Sequence, residues 1–102
     1  MLRRLDGPSK QGSLTVDNVT VQELKKDAQP FKGRSVITLR ADQKVLIYFG
    51  DDSGVAPSAV TVAADGIPVF KNEFITIEAG NLQHVYILAD STTAEVKIVE
   101  RG

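Results

Sequence analysis

The chain has 102 residues, 42% of them hydrophobic, and no cysteine, with a net charge of −1. This size fits one domain with a single core, the lack of cysteine excludes disulfides and thiolate zinc sites, and the charge disfavours a nucleic-acid partner. The longest apolar run, Val45–Phe49, is too short to span a bilayer, and the first twelve residues lack the apolar stretch of a secretory signal. We therefore expect a protein made and kept in a cytoplasm, or in a particle assembled there.

The beginning of the chain predicts an arm that precedes the folded domain. Residues 1–13 show no apolar periodicity and contain a Gly-Pro-Ser sequence, which predicts an extended N-terminal arm before a single all-β domain over residues 14–102. Residues 1–34 contain seven Lys or Arg and four acids, whereas residues 35–102 contain five and nine. A basic leading segment on an acidic body can dock on an acidic surface, and ordinary scatter of surface charge is the alternative.

The next segment predicts two short strands with a bend between them. Apolar residues alternate over residues 14–16 and again over residues 19–21, but the phase changes at Asp17-Asn18. A change of phase by one residue is typical of a bulge or tight bend. Residues 22–34 are polar, with one proline and one glycine, and predict a loop.

From Ser35 onward, short apolar segments follow one another at intervals of about ten residues. They predict strands over residues 35–40, 44–49, 60–62, 67–70, 73–78, 84–89 and 94–99. Such spacing is typical of antiparallel β proteins, and no segment shows helical periodicity beyond one turn. We predict an all-β fold: an antiparallel sandwich or barrel of about eight short strands, jelly-roll-like, with an extended N-terminal arm.

Two of these strands, KVLIYF and HVYILA, are apolar on both faces and need cover on the second face. One hypothesis is a subunit interface, supported by Phe74 on the polar face of its own strand. The alternative is internal cover by residues 14–34. Under the first hypothesis, the self-association residues are Leu46, Tyr48, Tyr86 and Leu88.

Candidates for catalysis or metal binding are few. His84 is the single histidine, so a metal site of the usual nitrogen type is not expected. Asp51 and Asp52 offer two carboxylates to a calcium ion, which needs six or more oxygens. The glutamates lie at strand positions that are expected to face solvent, so they indicate no catalytic pair. We expect no catalytic residue, no metal site and no cofactor.

The order of segments after Arg34 resembles that of small virion proteins encoded among the structural genes of tailed bacteriophages. The resemblance covers the C-terminal two-thirds of the chain, and its motifs are structural. The matching residues are Tyr48-Phe49-Gly50, Asp65-Gly66-Ile67-Pro68-Val69, Ala79-Gly80, Val85-Tyr86-Ile87 and Ala94-Glu95-Val96-Lys97-Ile98-Val99-Glu100.

The resemblance implies a non-enzymatic capsid decoration (cement) protein, a homo-oligomer for which a trimer is favoured, in a virion assembled in the bacterial cytoplasm. Its partners would be the major capsid protein or other virion proteins, with no nucleic acid and no membrane. Arg3, Arg4 and Lys10 would be the residues that dock the arm on the capsid. The alternatives are a neck, tail or fibre protein that contacts other virion proteins or a host receptor, and a small enzyme or calcium-binding module.

Overall fold

The computed structural model describes residues 9–25, 32–51, 53–80 and 82–102, and this part of the chain forms eight strands and one short helix. The strands are β1 (Ser9–Val16), β2 (Gln22–Glu23), β3 (Val36–Ala41), β4 (Val45–Phe49), β5 (Ile67–Val69), β6 (Phe74–Glu78), β7 (Val85–Ala89) and β8 (Ala94–Arg101). The helix, α1 (Ala59–Asp65), lies between β4 and β5. No helix in the described ranges is long and apolar enough to cross a membrane.

The strands form two four-stranded antiparallel sheets. The first sheet has the order β1-β8-β3-β6 and the second has the order β2-β7-β4-β5. The first half of the chain therefore pairs with the second half in reverse order: β1 with β8, β2 with β7, β3 with β6 and β4 with β5. A long hairpin rolled up in this way is a jelly roll. The predicted all-β, jelly-roll-like sandwich is confirmed.

The main core lies between the two sheets and follows from the alternation of side chains along each strand. In β8, for example, Ala94, Val96 and Ile98 are buried, while Glu95 and Lys97 are exposed. The remaining large side chains of this core come from both sheets: Val16, Leu24, Ile37, Leu39, Val45, Ile47, Val69, Ile77, Val85 and Ile87.

Helix α1 replaces the strand that the sequence predicts over residues 60–62, so that prediction is wrong. The Ser58 side chain accepts a hydrogen bond from the Thr61 backbone N–H at 3.2 Å and caps the helix. The backbone N–H of Gly66 donates to the Val62 carbonyl at 2.8 Å and ends it. The valines at positions 60 and 62 alternate as in a strand. The serine cap before them, the alanine-containing segment and the final glycine are together typical of a helix.

The helix covers the outer face of the second sheet. Val62 packs against Leu46 of β4 and Leu88 of β7 in a second, smaller core, and Val21 adds to it from the segment before β2. Since β4 and β7 are the two central strands of that sheet, they are covered on both faces by the chain itself. Internal cover explains their two-sided apolar character, and it comes mainly from α1 rather than from residues 14–34.

The start of the sandwich differs in extent from the sequence prediction. Strand β1 begins at Ser9, so residues 9–13 of the predicted arm pair with β8. These residues, SKQGS, contain no apolar alternation, so the sequence pattern does not predict this part of β1. The predicted bend at Asp17 is present: its carboxylate accepts the backbone N–H groups of Val19 at 2.9 Å and Thr20 at 2.7 Å. These two bonds lower the pKa of the Asp17 carboxyl.

Candidate interaction surface

The residues predicted to dock the arm are at or beyond the beginning of the sandwich. Arg3 and Arg4 lie outside the described residues. The backbone of Lys10 lies in β1 and pairs with Glu100 of β8. β1 is an edge strand of the first sheet, so the arm joins the sandwich at the rim of that sheet rather than at its centre.

The residues predicted for self-association are mostly inside the monomer. Leu46, Tyr86 and Leu88 are 6%, 4% and 2% exposed, and Tyr48 is half-buried beside the smaller core. The two leucines are covered by α1. Their burial removes the reason for expecting these side chains to contact another copy.

The acidic loop after β4 contains hydrogen bonds between its own residues. Asp52 lies outside the described residues. The Asp51 carboxylate accepts hydrogen bonds from the Ser53 backbone N–H at 2.9 Å and from the Ser53 hydroxyl at 2.5 Å. Both bonds lower the pKa of Asp51. Within the described residues, no three acidic, histidine or cysteine side chains come together to hold a metal ion.

His84 is part of a small polar cluster at the edge of the second sheet. Its Nδ1 lies 3.2 Å from a carboxylate oxygen of Glu23 in β2, and the other oxygen of Glu23 accepts from Lys25 Nζ at 3.3 Å. The His84 ring stacks on Tyr86 with centroids 6.3 Å apart. The cluster joins β2 to β7, so its geometry indicates a structural contact at the end of the short β2 strand. Glu23 belongs to no recognisable sequence motif, so the sequence does not predict its contact with His84.

An open apolar region lies where the two sheets end on the same side of the sandwich. We call it the open seam: a cleft of about 300 Å³ between β4–β5 and β6. Phe49 and Ile67 are 45% and 54% exposed there, although Phe49 shares a strand face with the buried Val45 and Ile47. The seam is lined by Ile47, Phe49, Ile67, Val69, Ile75, Thr76, Ile77 and Glu78.

The outer face of the first sheet is a second open region and is polar. A groove of about 440 Å³ lies over it, and its lining includes Arg40 of β3 and Lys97 of β8. Phe74 of β6 lies at the side of this groove and is 70% exposed, as its position on the polar face of the strand predicts. The alternation of residues in this strand therefore predicts the exposure of Phe74 correctly.

Comparison with known proteins supports the fold. No protein-family model matches the chain, and no curated protein matches it. A de novo designed double-stranded β-helix, solved by NMR in solution, is similar with a TM-score of 0.58 and 14% identity, over 90% of this chain and 99% of the designed one. A protein from Bacillus endospore appendages, which form a family of disulfide-linked pili, overlaps with a TM-score of 0.44 and 12% identity, over 99% of this chain and 93% of that one. At these identities, only the first similarity is informative, and it concerns the fold alone.

Proposed function

We propose that the protein is a non-enzymatic structural component of a tailed-phage virion, a capsid decoration protein that binds the head surface as a small homo-oligomer and stabilises it. The proposal combines the sequence resemblance with the architecture. The segments that carry the resemblance form β4, β5, β7 and β8 and the turns beside them, so they belong to the sandwich framework. A framework of this kind suits a protein that acts through its surfaces.

The observation that carries the docking mechanism is the position of β1. It begins at Ser9 on the edge of the first sheet, and eight residues that include Arg3 and Arg4 precede it. Eight residues can span at most about 28 Å when extended. In this proposal the segment contacts the capsid surface, and many weak contacts repeated over a lattice act through effective concentration.

Deletion of residues 1–8 tests this mechanism without shortening β1. We expect the truncated protein to unfold at the same urea concentration as the full chain but to lose co-sedimentation with expanded phage heads. The double variant Arg3→Glu/Arg4→Glu should lose binding in the same way. Lys32→Glu/Lys71→Glu makes the same change in net charge at two exposed turn residues and serves as the control. Binding that survives the deletion, or is lost equally in the control, contradicts docking by the arm.

A neck, tail or fibre component is the second candidate function. The exposed Phe74 beside Arg40 on the outer face of the first sheet favours it, because an aromatic ring next to polar groups suits contact with another virion protein or a receptor. Copy number separates the two functions. A decoration protein is present at the scale of the capsid lattice, whereas a neck or fibre protein is present in few copies per particle.

A further inference from the structure

The outer edge of β6 is an unpaired strand edge. β6 is the terminal strand of the first sheet and pairs with β3 on one side. Just beyond β6, the Ala79 backbone N–H donates to the Ser35 carbonyl at 3.0 Å, in register with the β3 ladder. Because backbone groups of an antiparallel strand point alternately to its two sides, the N–H and C=O groups of Phe74, Thr76 and Glu78 point away from β3. In the described part of the chain, no strand pairs with that side of β6.

The other three sheet edges carry features that block further pairing. β2 has two residues, and β5 has three, one of which is Pro68. In β1, the carbonyl of Thr15 accepts the side-chain amide of Gln22 at 2.7 Å, and the strand contains a lysine and a glycine. β6 has five residues, FITIE, with no proline, lysine or glycine. It is therefore the edge most open to another strand.

An apolar surface lies directly behind this edge. The inward side chains of β6, Ile75 and Ile77, line the open seam opposite Ile67 and Phe49. A strand added alongside β6 would direct its own inward side chains over the seam, since side chains alternate across a sheet. The added strand must therefore have apolar residues on one face and polar residues on the other.

We propose that the partner at this edge is a second copy of the chain, joined by antiparallel pairing of its β6 with β6 about a two-fold axis at Thr76. In this register, the two Thr76 residues exchange backbone hydrogen bonds, and Phe74 of each copy does so with Glu78 of the other. Ile75 of each copy then faces Ile77 of the other in the closely spaced, non-hydrogen-bonded pair. The two sheets become one continuous eight-stranded sheet.

Self-complementarity argues for a second copy over a foreign strand. FITIE provides the apolar inward face that the seam requires, and the two-fold register places its isoleucines against isoleucines. Glu78 of the second copy lies directly opposite Phe74, and Arg40 lies one strand further along the same cross-strand row, so the added carboxylate joins a row that contains an arginine and no other acid. Isologous two-fold contacts are also the commonest interfaces among soluble oligomers.

Light scattering and sedimentation velocity of the full chain over a range of concentrations test the proposal. We expect the mass to rise from the chain mass of 11.0 kDa to twice that value. Thr76→Lys should keep the mass at one chain at every concentration, because it places two lysines opposite each other at the axis. Thr15→Lys, an exposed residue in the other edge strand of the same sheet, is the matched control and should dimerise like the wild type.

A charge-swap experiment distinguishes the two-fold register from other contacts. Thr76→Glu alone should also stay at one chain mass, whereas an equimolar mixture of Thr76→Lys and Thr76→Glu should recover the dimer mass. A wild type of one chain mass at all concentrations, a Thr76→Lys mass equal to that of the wild type, or a mixture that stays monomeric overturns the proposal. Equal thermal unfolding of the variants at low concentration verifies that each one folds. These measurements need no phage particle. A monomer would remove the homo-oligomer from the proposed function, whereas the virion role itself is tested separately by co-sedimentation with phage heads.

Discussion

Arg34 and Glu100 form a fully buried ion pair, with Arg34 Nη1 3.0 Å from Glu100 Oε2 and neither side chain exposed to solvent. Nη1 also donates to the Leu24 carbonyl at 3.2 Å. The other guanidinium nitrogens donate to backbone carbonyls of the turn after β6: Nε to Ala79 at 3.2 Å, and Nη2 to Gly80 at 3.0 Å and Gln83 at 2.9 Å. All five N–H groups of Arg34 are therefore satisfied, and one side chain joins β8 to two loops at one end of the sandwich.

Replacement of Arg34 by methionine should lower the free energy of unfolding by about 3–5 kcal/mol, the typical cost of removing one partner of a buried ion pair. The reason is that the buried carboxylate of Glu100 loses the guanidinium group that contacts it, while the loop at Leu24 and the turn after β6 lose their common donor. Urea unfolding followed by circular dichroism measures the change. The double variant Arg34→Met/Glu100→Met should be more stable than Arg34→Met, because the buried charge is removed as well.

Arg40→Met is the control for this prediction, because Arg40 is an exposed arginine on β3. Its free energy of unfolding should change by no more than about 0.5 kcal/mol. Equal losses in the Arg34 and Arg40 variants would contradict a special role for the buried pair.

The sequence predicted those elements whose residues alternate in polarity, and it missed what depends on distant segments. The strands β3, β4 and β6 to β8 have β-branched or aromatic residues on the inner face and were found with small errors at their ends. Arg34 is an ordinary basic residue in a polar loop until Leu24, the turn at residues 79–83 and Glu100 surround it. Those partners lie up to 66 positions away, and no local pattern reports them.

The candidate surface also has features that follow from local alternation and features that depend on distant segments. The exposure of Phe74 followed from its place on the polar face of a strand. The exposure of Phe49 and Ile67 did not, because it results from β5 and β6 ending the two sheets on the same side. The two-sided strands were recognised, but the origin of their cover was not, since α1 was hidden behind alternating valines.

Truncation of Val62 tests the role of α1 as the cover of the second sheet. Val62→Ala should lower the free energy of unfolding by about 2 kcal/mol, because two buried carbon groups are removed and leave a cavity against Leu46 and Leu88. Val60→Ala in the same helix is the control, since Val60 is 78% exposed and should change stability by no more than about 0.5 kcal/mol. Chemical denaturation of both variants measures the difference. Equal effects at the two positions would show that α1 does not pack as described.

Gly66 ends the helix at a position where no side chain fits. A Cβ there would lie 2.5 Å from the Val62 carbonyl oxygen and 2.9 Å from Leu46 Cβ, and the carbonyl is part of the helix backbone. Gly66→Ala should therefore shift α1 away from β4 and lower the free energy of unfolding by about 1–3 kcal/mol. Gly80→Ala is the control, because its nearest contact would be the Arg34 carbonyl oxygen at 3.7 Å. Equal melting temperatures of the two variants in calorimetry would refute this prediction.

Tyr86 should make the fold sensitive to alkali. Burial raises the pKa of its hydroxyl above the usual value of 10.0, and the charges of Glu23 and Asp51 raise it further. An unfolded chain releases this proton near pH 10, whereas the folded chain retains it to higher pH. The unfolded state therefore binds fewer protons in this range, and the free energy of unfolding falls as the pH rises above about 10.

Urea unfolding between about pH 9 and about pH 11 measures this loss. In Tyr86→Phe, which has no hydroxyl to titrate, the decline should be shallower than in the wild type. Tyr48→Phe removes the only other tyrosine of the chain and retains Tyr86, so its decline should remain as steep as that of the wild type. Ultraviolet absorbance of tyrosinate in the folded protein provides a second measurement, because the Tyr86 signal should appear at higher pH than that of free tyrosine. Parallel pH profiles for the wild type and Tyr86→Phe would mean that other groups cause the alkaline loss.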